Sequence, residues 1–162
     1  MDSTGQQSIS RGCNIGQVSA VPENPGGEDM AMDLHFEMRR EYLYVQVTGA
    51  FVHVDEVLKA LVKVQETADS HAATKILIDC LQLKGTPNTS DYYTFGVFAA
   101  EERAKHAERI SAFVGTPPTF DKRHFGELVA TNRGATMKSF DRIEDALEWL
   151  GVDPGEGRQS SP

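Results

Sequence analysis

The chain has 162 residues, of which 40% are apolar, and it carries a formal net charge of −8. This length and apolar fraction suit a single domain that has a real core and terminal tails. The acidic balance argues against nucleic acid as a partner, because phosphates require clustered Lys and Arg, and it disfavours attraction to anionic membranes.

Both ends of the chain differ in composition from its middle. Residues 1–31 are rich in Ser, Gly, Gln, Asn and Pro, and residues 152–162 resemble them. Such segments cannot bury enough apolar surface to offset the entropy lost on ordering, so both are predicted to be disordered. One folded domain is therefore predicted over residues 32–151. Since neither a signal peptide nor a membrane-length apolar run is visible, the sequence predicts a cytoplasmic protein with no membrane span.

The first half of the domain is predicted to contain three strands and one helix. Two short strands, Leu34–Met38 and Tyr42–Thr48, form a hairpin. Val54–Ala68 is predicted to be a helix, because its apolar side chains recur along one face. Lys75–Cys80 is predicted to be a strand that is buried on both faces, since three apolar residues follow one another in it. Leu81–Ser90 is predicted to be a polar loop.

The second half of the domain is predicted to alternate helices and strands. Asp91–Lys105 is the second predicted helix, and Arg109–Val114 is the next strand. A third helix is predicted over Phe120–Thr131, and a strand over Ala135–Phe140 follows it. The last helix is predicted over residues 141–150, because its apolar residues recur at spacings of three and four.

Local signals mark the ends of the last elements. Gly134 is predicted to adopt a left-handed conformation after the third helix, because glycine has no Cβ to clash there. Asp141 is predicted to cap the last helix, since Glu144 follows it at the capping-box spacing. Leu147 and Leu150 are expected in the core. Trp149, which flanks them, is expected to be at least half covered.

The predicted element order is ββαβαβαβα. Strands separated by helices pair in parallel, because each crossover is long enough to contain a helix, whereas the hairpin adds one antiparallel strand. The sequence therefore predicts an α/β fold. It is a single compact domain with a mixed, mostly parallel sheet of about five strands covered by about four helices.

Asp79 and Cys80 end the central predicted strand, at the sheet edge where ligands bind in open α/β folds. Cys80 is interpreted as a small core residue, because the sequence places no histidine near it. Asp79 is interpreted as an acceptor for backbone N–H groups of the following loop rather than as a catalytic acid. The sequence thus predicts no catalytic residue and no enzyme activity.

Hydroxyl side chains precede the second predicted helix. Any of Thr86, Thr89 and Ser90 is a candidate N-cap, because its oxygen accepts a hydrogen bond from a free N–H group of the first turn. A phosphate on one of them would also be stabilised by the helix dipole. Capping is the preferred interpretation from the residues alone, and phosphorylation stays open.

No metal and no other cofactor is predicted. The five histidines show no metal-ligand spacing with one another or with either cysteine. The sequence also lacks the motifs G-x-S-x-G, H-E-x-x-H and G-x-G-x-x-G.

Four segments of the chain resemble the SpoIIAA-like family, a STAS/SEC14-like branch of the anti-sigma-factor-antagonist fold. They are KILIDCLQLKG, TFGVFAAE, RISAFVG and FGELVATNRGATMKSFDRIEDALEWL, and the resemblance spans roughly Leu34 to Gly151. The resemblance implies a compact domain with a mixed sheet and no enzyme activity. In true antagonists of this fold, an Asp-Ser-Ser-Gly motif with a phosphorylatable Ser follows the central strand. That motif is absent here, and Thr89 is the residue near its position that retains phosphoacceptor chemistry.

Two functions are expected, in order of preference. The first is a non-catalytic interaction or regulatory domain that contacts a protein partner through loop 83–90 and the helix after it. Its candidate contact residues are Thr86, Thr89, Ser90 and Asp79. The alternative is a carrier that holds a small apolar ligand in a pocket under the second helix. The phenylalanines separate the two, because a single closed core formed by Phe95, Phe98 and Phe113 would leave no room for a ligand.

Overall fold

The computed structural model describes residues 31–106 and 108–153. Within these residues, five strands and four helices follow the predicted order. The strands are β1 (Met32–Met38), β2 (Leu43–Ala50), β3 (Lys75–Lys84), β4 (Ile110–Val114) and β5 (Met137–Phe140). The helices are α1 (Val54–Ser70), α2 (Thr89–Ala104), α3 (Phe125–Asn132) and α4 (Ile143–Leu150). The segments predicted to be disordered lie outside the described residues, except for residues 31, 152 and 153.

The described strands form a single sheet in the order β1-β2-β3-β4-β5. β1 and β2 pair antiparallel, whereas each later pair is parallel. A helix connects the members of each parallel pair, because a parallel neighbour is reached only by a long crossover. The predicted fold class, an α/β domain with a mixed and mostly parallel sheet, is confirmed.

Helices cover the two faces of the sheet unequally. α1, α2 and α3 pack on one face, over apolar side chains such as Val45. Of the described helices, only α4 packs on the opposite face. Alternation along β3 supplies both layers, since Ile76 and Ile78 point to the first face and Leu77 points to the second. All three are at most 4% exposed, so the prediction that this strand is buried on both faces is confirmed.

β3 is longer than predicted, because residues 82–84 continue to pair with β2. A β-bulge places two residues of β3, Cys80 and Leu81, opposite Val47 of β2. The predicted loop over Leu81–Ser90 is therefore wrong for its first four residues. Backbone pairing with β2 and the packing of Leu83 against the core hold this part of the strand in place.

Three helix starts also differ from their predictions. α2 begins at Thr89 rather than at Asp91, so the last two residues of the predicted loop are helical. α3 begins at Phe125 rather than at Phe120, because Asp121 ends the preceding turn and accepts a hydrogen bond from the N–H of Phe125 at 2.9 Å. α4 begins after Arg142, whose side chain makes no capping hydrogen bond. The predicted cap at Asp141 is therefore wrong.

The C-terminal end of α4 agrees with its prediction. Gly151 has a φ of 77°, and the N–H of Val152 donates to the carbonyl oxygen of Leu147 at 3.0 Å, which closes the helix. Leu147 and Leu150 are each 2% exposed, and Trp149 is more than half covered. Val152 is buried against the same layer, so the packed domain continues past residue 151.

Candidate functional site

A cavity of about 120 Å³ lies beneath α2, on the face of the sheet that carries three helices. The sheet contributes Val47, Ile78 and Phe113 to its lining, α1 contributes Val57, and α2 contributes Phe95. Its surface is almost entirely apolar.

The phenylalanines do not fill one closed core. Phe95 and Phe113 meet edge to face, with their ring centroids 5.4 Å apart, and both line the cavity. Phe98 packs against the core but does not line the cavity. The predicted carrier function requires open space beside these phenylalanines, and the cavity provides such space beside Phe95 and Phe113.

A close helix contact fixes α2 above this cavity. A Cβ atom added at Gly96 would lie 2.7 Å from the carbonyl oxygen of Gly126 and 2.7 Å from the Cβ of Val129. Only glycine at position 96 therefore permits α2 to approach α3 this closely. Phe95, the preceding residue, is thereby held over the cavity.

Several polar residues border the end of the cavity beside α3 (its polar end), although almost none of their polar surface faces the cavity itself. The hydroxyl of Tyr92 donates to the carbonyl oxygen of Thr119 at 2.8 Å. Burial, together with the carboxylates of Asp121 and Asp91, raises the pKa of the Tyr92 phenol to about 12. His124 lines the same end, and its Nδ1 is buried with no hydrogen-bond partner among the described residues. Its backbone is left-handed, with a φ of 53°.

Three carboxylates line this polar end, and each already accepts a backbone hydrogen bond. Asp91 accepts from the N–H of Asn88, Asp121 from that of Phe125, and Glu127 from that of Ser139. The other titratable residues that line the cavity are Cys80, Tyr92 and His124. Among the described residues, no Lys or Arg lines it.

Cys80 lines the cavity as a neutral thiol. It is 7% exposed, and burial together with the charge of Asp79 raises its pKa to about 12. A thiol with so high a pKa carries almost no thiolate near neutral pH and is a poor nucleophile. The structure thus agrees with the interpretation of Cys80 as a small core residue.

Asp79 lies on the opposite face of the sheet from the cavity. It is 4% exposed, and its carboxylate accepts hydrogen bonds from the Tyr44 hydroxyl at 2.6 Å and from the N–H of Leu81 at 3.0 Å. The second bond lies in the β-bulge, where ladder pairing is interrupted. Burial and the hydrogen bond to Asp79 raise the pKa of Tyr44. Asp79 therefore accepts a backbone N–H group, as preferred from the sequence, but this group belongs to the bulge within β3 rather than to a following loop.

Thr86, Thr89 and Ser90 are all exposed near the start of α2. None of them caps the helix, which corrects the preferred interpretation of these hydroxyls. The N-cap is Asn88, which forms a capping box with Asp91. The side-chain oxygen of Asn88 has the same acceptor chemistry as a hydroxyl. It is the cap because α2 begins at Thr89, so Thr89 and Ser90 are already the first two residues of the helix.

The polar end of the cavity is the part that local sequence patterns miss. Tyr92, Asp121 and His124 come from distant positions in the chain, and the last two stand in a stretch predicted to be helical. One local signal in the sequence points to this arrangement. Asp121 stands four residues before Phe125, and Asp is a residue type that often accepts hydrogen bonds from N–H groups at the start of a helix.

No cluster of His, Cys, Asp and Glu within the described residues has an arrangement that would hold a metal ion. None of the helices in the described part of the chain combines the length and the apolar character needed to cross a membrane.

The fold and the cavity together define an α/β domain with a mixed five-stranded sheet and an apolar cavity under its second helix. No protein-family model matches the chain, and no curated protein does. Among solved structures, it is similar to an uncharacterized protein of the DUF3478 family with a SpoIIAA-like fold, from Shewanella loihica PV-4. The two share 19% sequence identity over 76% of this chain and 98% of that one, with a TM-score of 0.44.

Proposed function

We propose that this domain binds a small apolar molecule in the cavity beneath α2. The cavity itself supports the proposal, because protein cores contain few voids much larger than a water molecule. Its volume is about 120 Å³, and its lining is almost entirely apolar. An apolar cavity of roughly 150 Å³ in another protein holds benzene. The expected ligand is therefore about the size of a single aromatic ring.

The start of α2 is the proposed entrance. Pro87, Asp91 and Tyr92 line the cavity and are partly exposed, so this is a side on which the lining meets solvent. Phe95 lies one turn further along the helix and lines the apolar part. A ligand that enters here places its apolar portion beside Phe95 and Phe113.

The proposed role is binding or carriage in the cytoplasm without catalysis. Cys80 is held as a neutral thiol, and Asp79 is occupied by two hydrogen bonds on the other face of the sheet. Neither side chain is placed to attack a molecule in the cavity.

Toluene provides a direct test of the cavity. When toluene is added to the full chain, we expect NMR amide shifts at Ile78, Phe95 and other lining positions. Val57→Phe, which fills the cavity from α1, should weaken toluene binding at least tenfold. Val62→Phe on the same helix is the matched control, because Val62 does not line the cavity, and it should leave binding unchanged. Absence of shifts at the lining residues would exclude the proposal.

A second candidate function is protein binding through loop 83–90 and the start of α2. Thr86, Thr89 and Ser90 support it, because their hydroxyls are exposed and make no side-chain hydrogen bond to other described residues. A phosphate on Thr89 would add about −1.5 to −2 charges at the positive end of α2.

For this second function, Thr89→Glu should change the affinity for an identified protein partner without changing the melting temperature. Thr116→Glu is the control, because Thr116 is also exposed but lies in the turn after β4. Equal partner affinity for the Thr89→Glu variant and the unaltered chain would remove Thr89 from this role.

A further inference from the structure

Residues 116–124, which lie between β4 and α3, close one end of the cavity. Thr119, Phe120 and His124 of this segment line the cavity. The N–H of Phe120 donates to the carbonyl oxygen of Thr116 at 3.1 Å, so the turn is closed by a bond within the segment. The segment is thus held together locally, and moving it as a unit unpairs no strand.

The opposite side of this end is fixed to the sheet. Lys84 is the last residue of β3 and still pairs with β2. The N–H of Phe51 donates to the carbonyl oxygen of Lys84 at 2.6 Å. A Cβ atom added at Gly85 would lie 2.8 Å from the Cβ of Phe51, so this turn packs directly against the chain that follows β2. Residues 83–85 therefore form a fixed frame, and the segment between β4 and α3 is the side that can move.

Thr119 joins the two sides. Its side chain lies in a residue that is only 6% exposed, and its Oγ1 is 3.0 Å from the carbonyl oxygen of Leu83 and 3.2 Å from that of Gly85. Because carbonyl oxygens only accept hydrogen bonds, the hydroxyl of Thr119 is the donor. From α2, the hydroxyl of Tyr92 donates to the carbonyl oxygen of Thr119 at 2.8 Å. Both hydroxyl groups therefore hold the segment closed at the same residue.

On the basis of the proposed function, we propose that residues 116–124 form a lid over the cavity and that the hydroxyl of Thr119 is its latch. A ligand enters beside Tyr92 when the latch bond breaks and the lid moves away from residues 83–85. The closed lid then separates the apolar lining from water. Opening sets how fast a ligand enters and leaves, whereas the closed cavity sets how tightly the ligand is bound.

Thr119→Val tests the latch, because valine has the same branched shape and lacks the hydroxyl. Loss of one hydrogen bond corresponds to about a 2- to 12-fold increase in opening. The association and dissociation rates of toluene, measured on the full chain by NMR exchange, should both rise by this factor. The Kd of toluene should stay unchanged, since the closed state still predominates. Thr116→Val is the matched control, because Thr116 lies in the lid but is exposed and does not line the cavity, and it should change neither rate.

Cys80 provides a second measurement that requires no bound ligand. Its thiol lines the cavity and is buried, so a small thiol reagent such as methyl methanethiosulfonate reaches it only when the cavity opens. The labelling rate of Cys80 in the free chain, read by mass spectrometry of its peptide, should rise in Thr119→Val by the same factor as the toluene rates. Thr116→Val should again leave it unchanged.

The outcomes separate the lid from the proposed function. Toluene rates that Thr119→Val leaves unchanged would overturn the lid while leaving the bound ligand in place. Faster toluene exchange without faster labelling of Cys80 would overturn it as well, because the lining would not have opened. Absence of toluene binding to the unaltered chain would overturn the proposed function and, with it, the lid. If Thr119→Val does not fold, Tyr92→Phe removes the other hydroxyl bond to the lid and should raise the same rates.

Discussion

Asn88 controls the start of α2 through two reciprocal hydrogen bonds. Its side-chain oxygen accepts from the N–H of Asp91 at 2.9 Å, and the Asp91 carboxylate accepts from the N–H of Asn88 at 2.9 Å. Asn88→Ala should therefore lower the free energy of unfolding by about 0.5–2 kcal/mol. Thr89→Ala, one residue later, should change it by less than about 0.5 kcal/mol, because Thr89 is exposed and is not the cap. Urea unfolding of both variants checks this, and equal losses would contradict the assignment of the cap.

Gly134 and Ala72 both have a left-handed backbone conformation, so exchanging glycine and alanine at the two positions should have opposite effects on stability. Gly134 has a φ of 94°, as its sequence context predicts, and a Cβ added there would meet no atom within 4 Å. Gly134→Ala should thus cost roughly 1–2 kcal/mol from backbone conformation alone.

Ala72 already bears a Cβ at a φ of 55°. Ala72→Gly should be neutral or stabilising, by up to about 1 kcal/mol, since relief of strain opposes the greater chain entropy of glycine. Thermal unfolding of the two variants measures both effects, and a harmless Gly134→Ala would be inconsistent with this account.

Caps and turns show how far local sequence reasoning reaches at this scale. The left-handed Gly134 follows from one residue's own sterics, and it is predicted correctly. The cap at Asp141 is predicted from spacing alone, and it is wrong because the chain enters α4 through Arg142 in an extended conformation. β5 ends at Phe140, only two residues before Arg142, so the path of the chain into α4 depends on where β5 lies. The spacing of Asp141 and Glu144 holds no information about that position.

At the scale of elements, Gly96 sets the distance between α2 and α3. Gly96→Ala would place a methyl group 2.7 Å from the carbonyl oxygen of Gly126, which is backbone and cannot rotate away. Overpacking of this kind costs about 1–3 kcal/mol, although alanine in a helix interior is otherwise favoured over glycine by about 1 kcal/mol. The free energy of unfolding should therefore fall, and toluene affinity should change as Phe95 shifts. A stabilised Gly96→Ala variant would show that the helices separate without cost.

The length of β3 illustrates an element that local pattern underestimates. Residues 81–84 lack the apolar run of the strand's first half, yet the last three of them pair with β2. The bulge at Cys80 and Leu81 shifts the alternation by one residue, so that Leu83 packs against the same layer as Cys80. Residues 81–84 do alternate between leucine and polar residues, but this alternation is one residue out of step with the buried run before it.

At the scale of the whole molecule, three acidic groups whose pKa values are raised, the Cys80 thiol and the phenols of Tyr44 and Tyr92, predict alkaline destabilisation. The pKa of Cys80 rises from 9.0 to about 12 in the fold, and that of Tyr92 rises from 10.0 to about 12. Above pH 9.0, the unfolded chain releases protons that the folded chain retains, so stability decreases as pH increases. The contribution is fully present below the unfolded pKa values and is lost as pH approaches about 12.

Urea unfolding at a series of alkaline pH values tests this expectation. The slope of unfolding free energy against pH should be negative between 9.0 and about 12. Cys80→Ala should make the slope shallower, because it removes one of the three groups. Tyr44→Phe is not a suitable control, since the Tyr44 phenol also has a raised pKa. A free energy that stays constant over this range would contradict the burial of these groups.

The sequence by itself determines the order of the elements, the mixed sheet and its two buried layers. These depend on periodicity within short segments and on crossovers long enough for helices, as in the run Ile76-Leu77-Ile78. Only the tertiary structure decides the cavity and its polar end. Val57, Phe95, Phe113 and His124 are far apart in the chain, and the distances between α1, α2 and α3 bring them together. A void is the space that packing leaves between elements, so no single segment of the sequence encodes it.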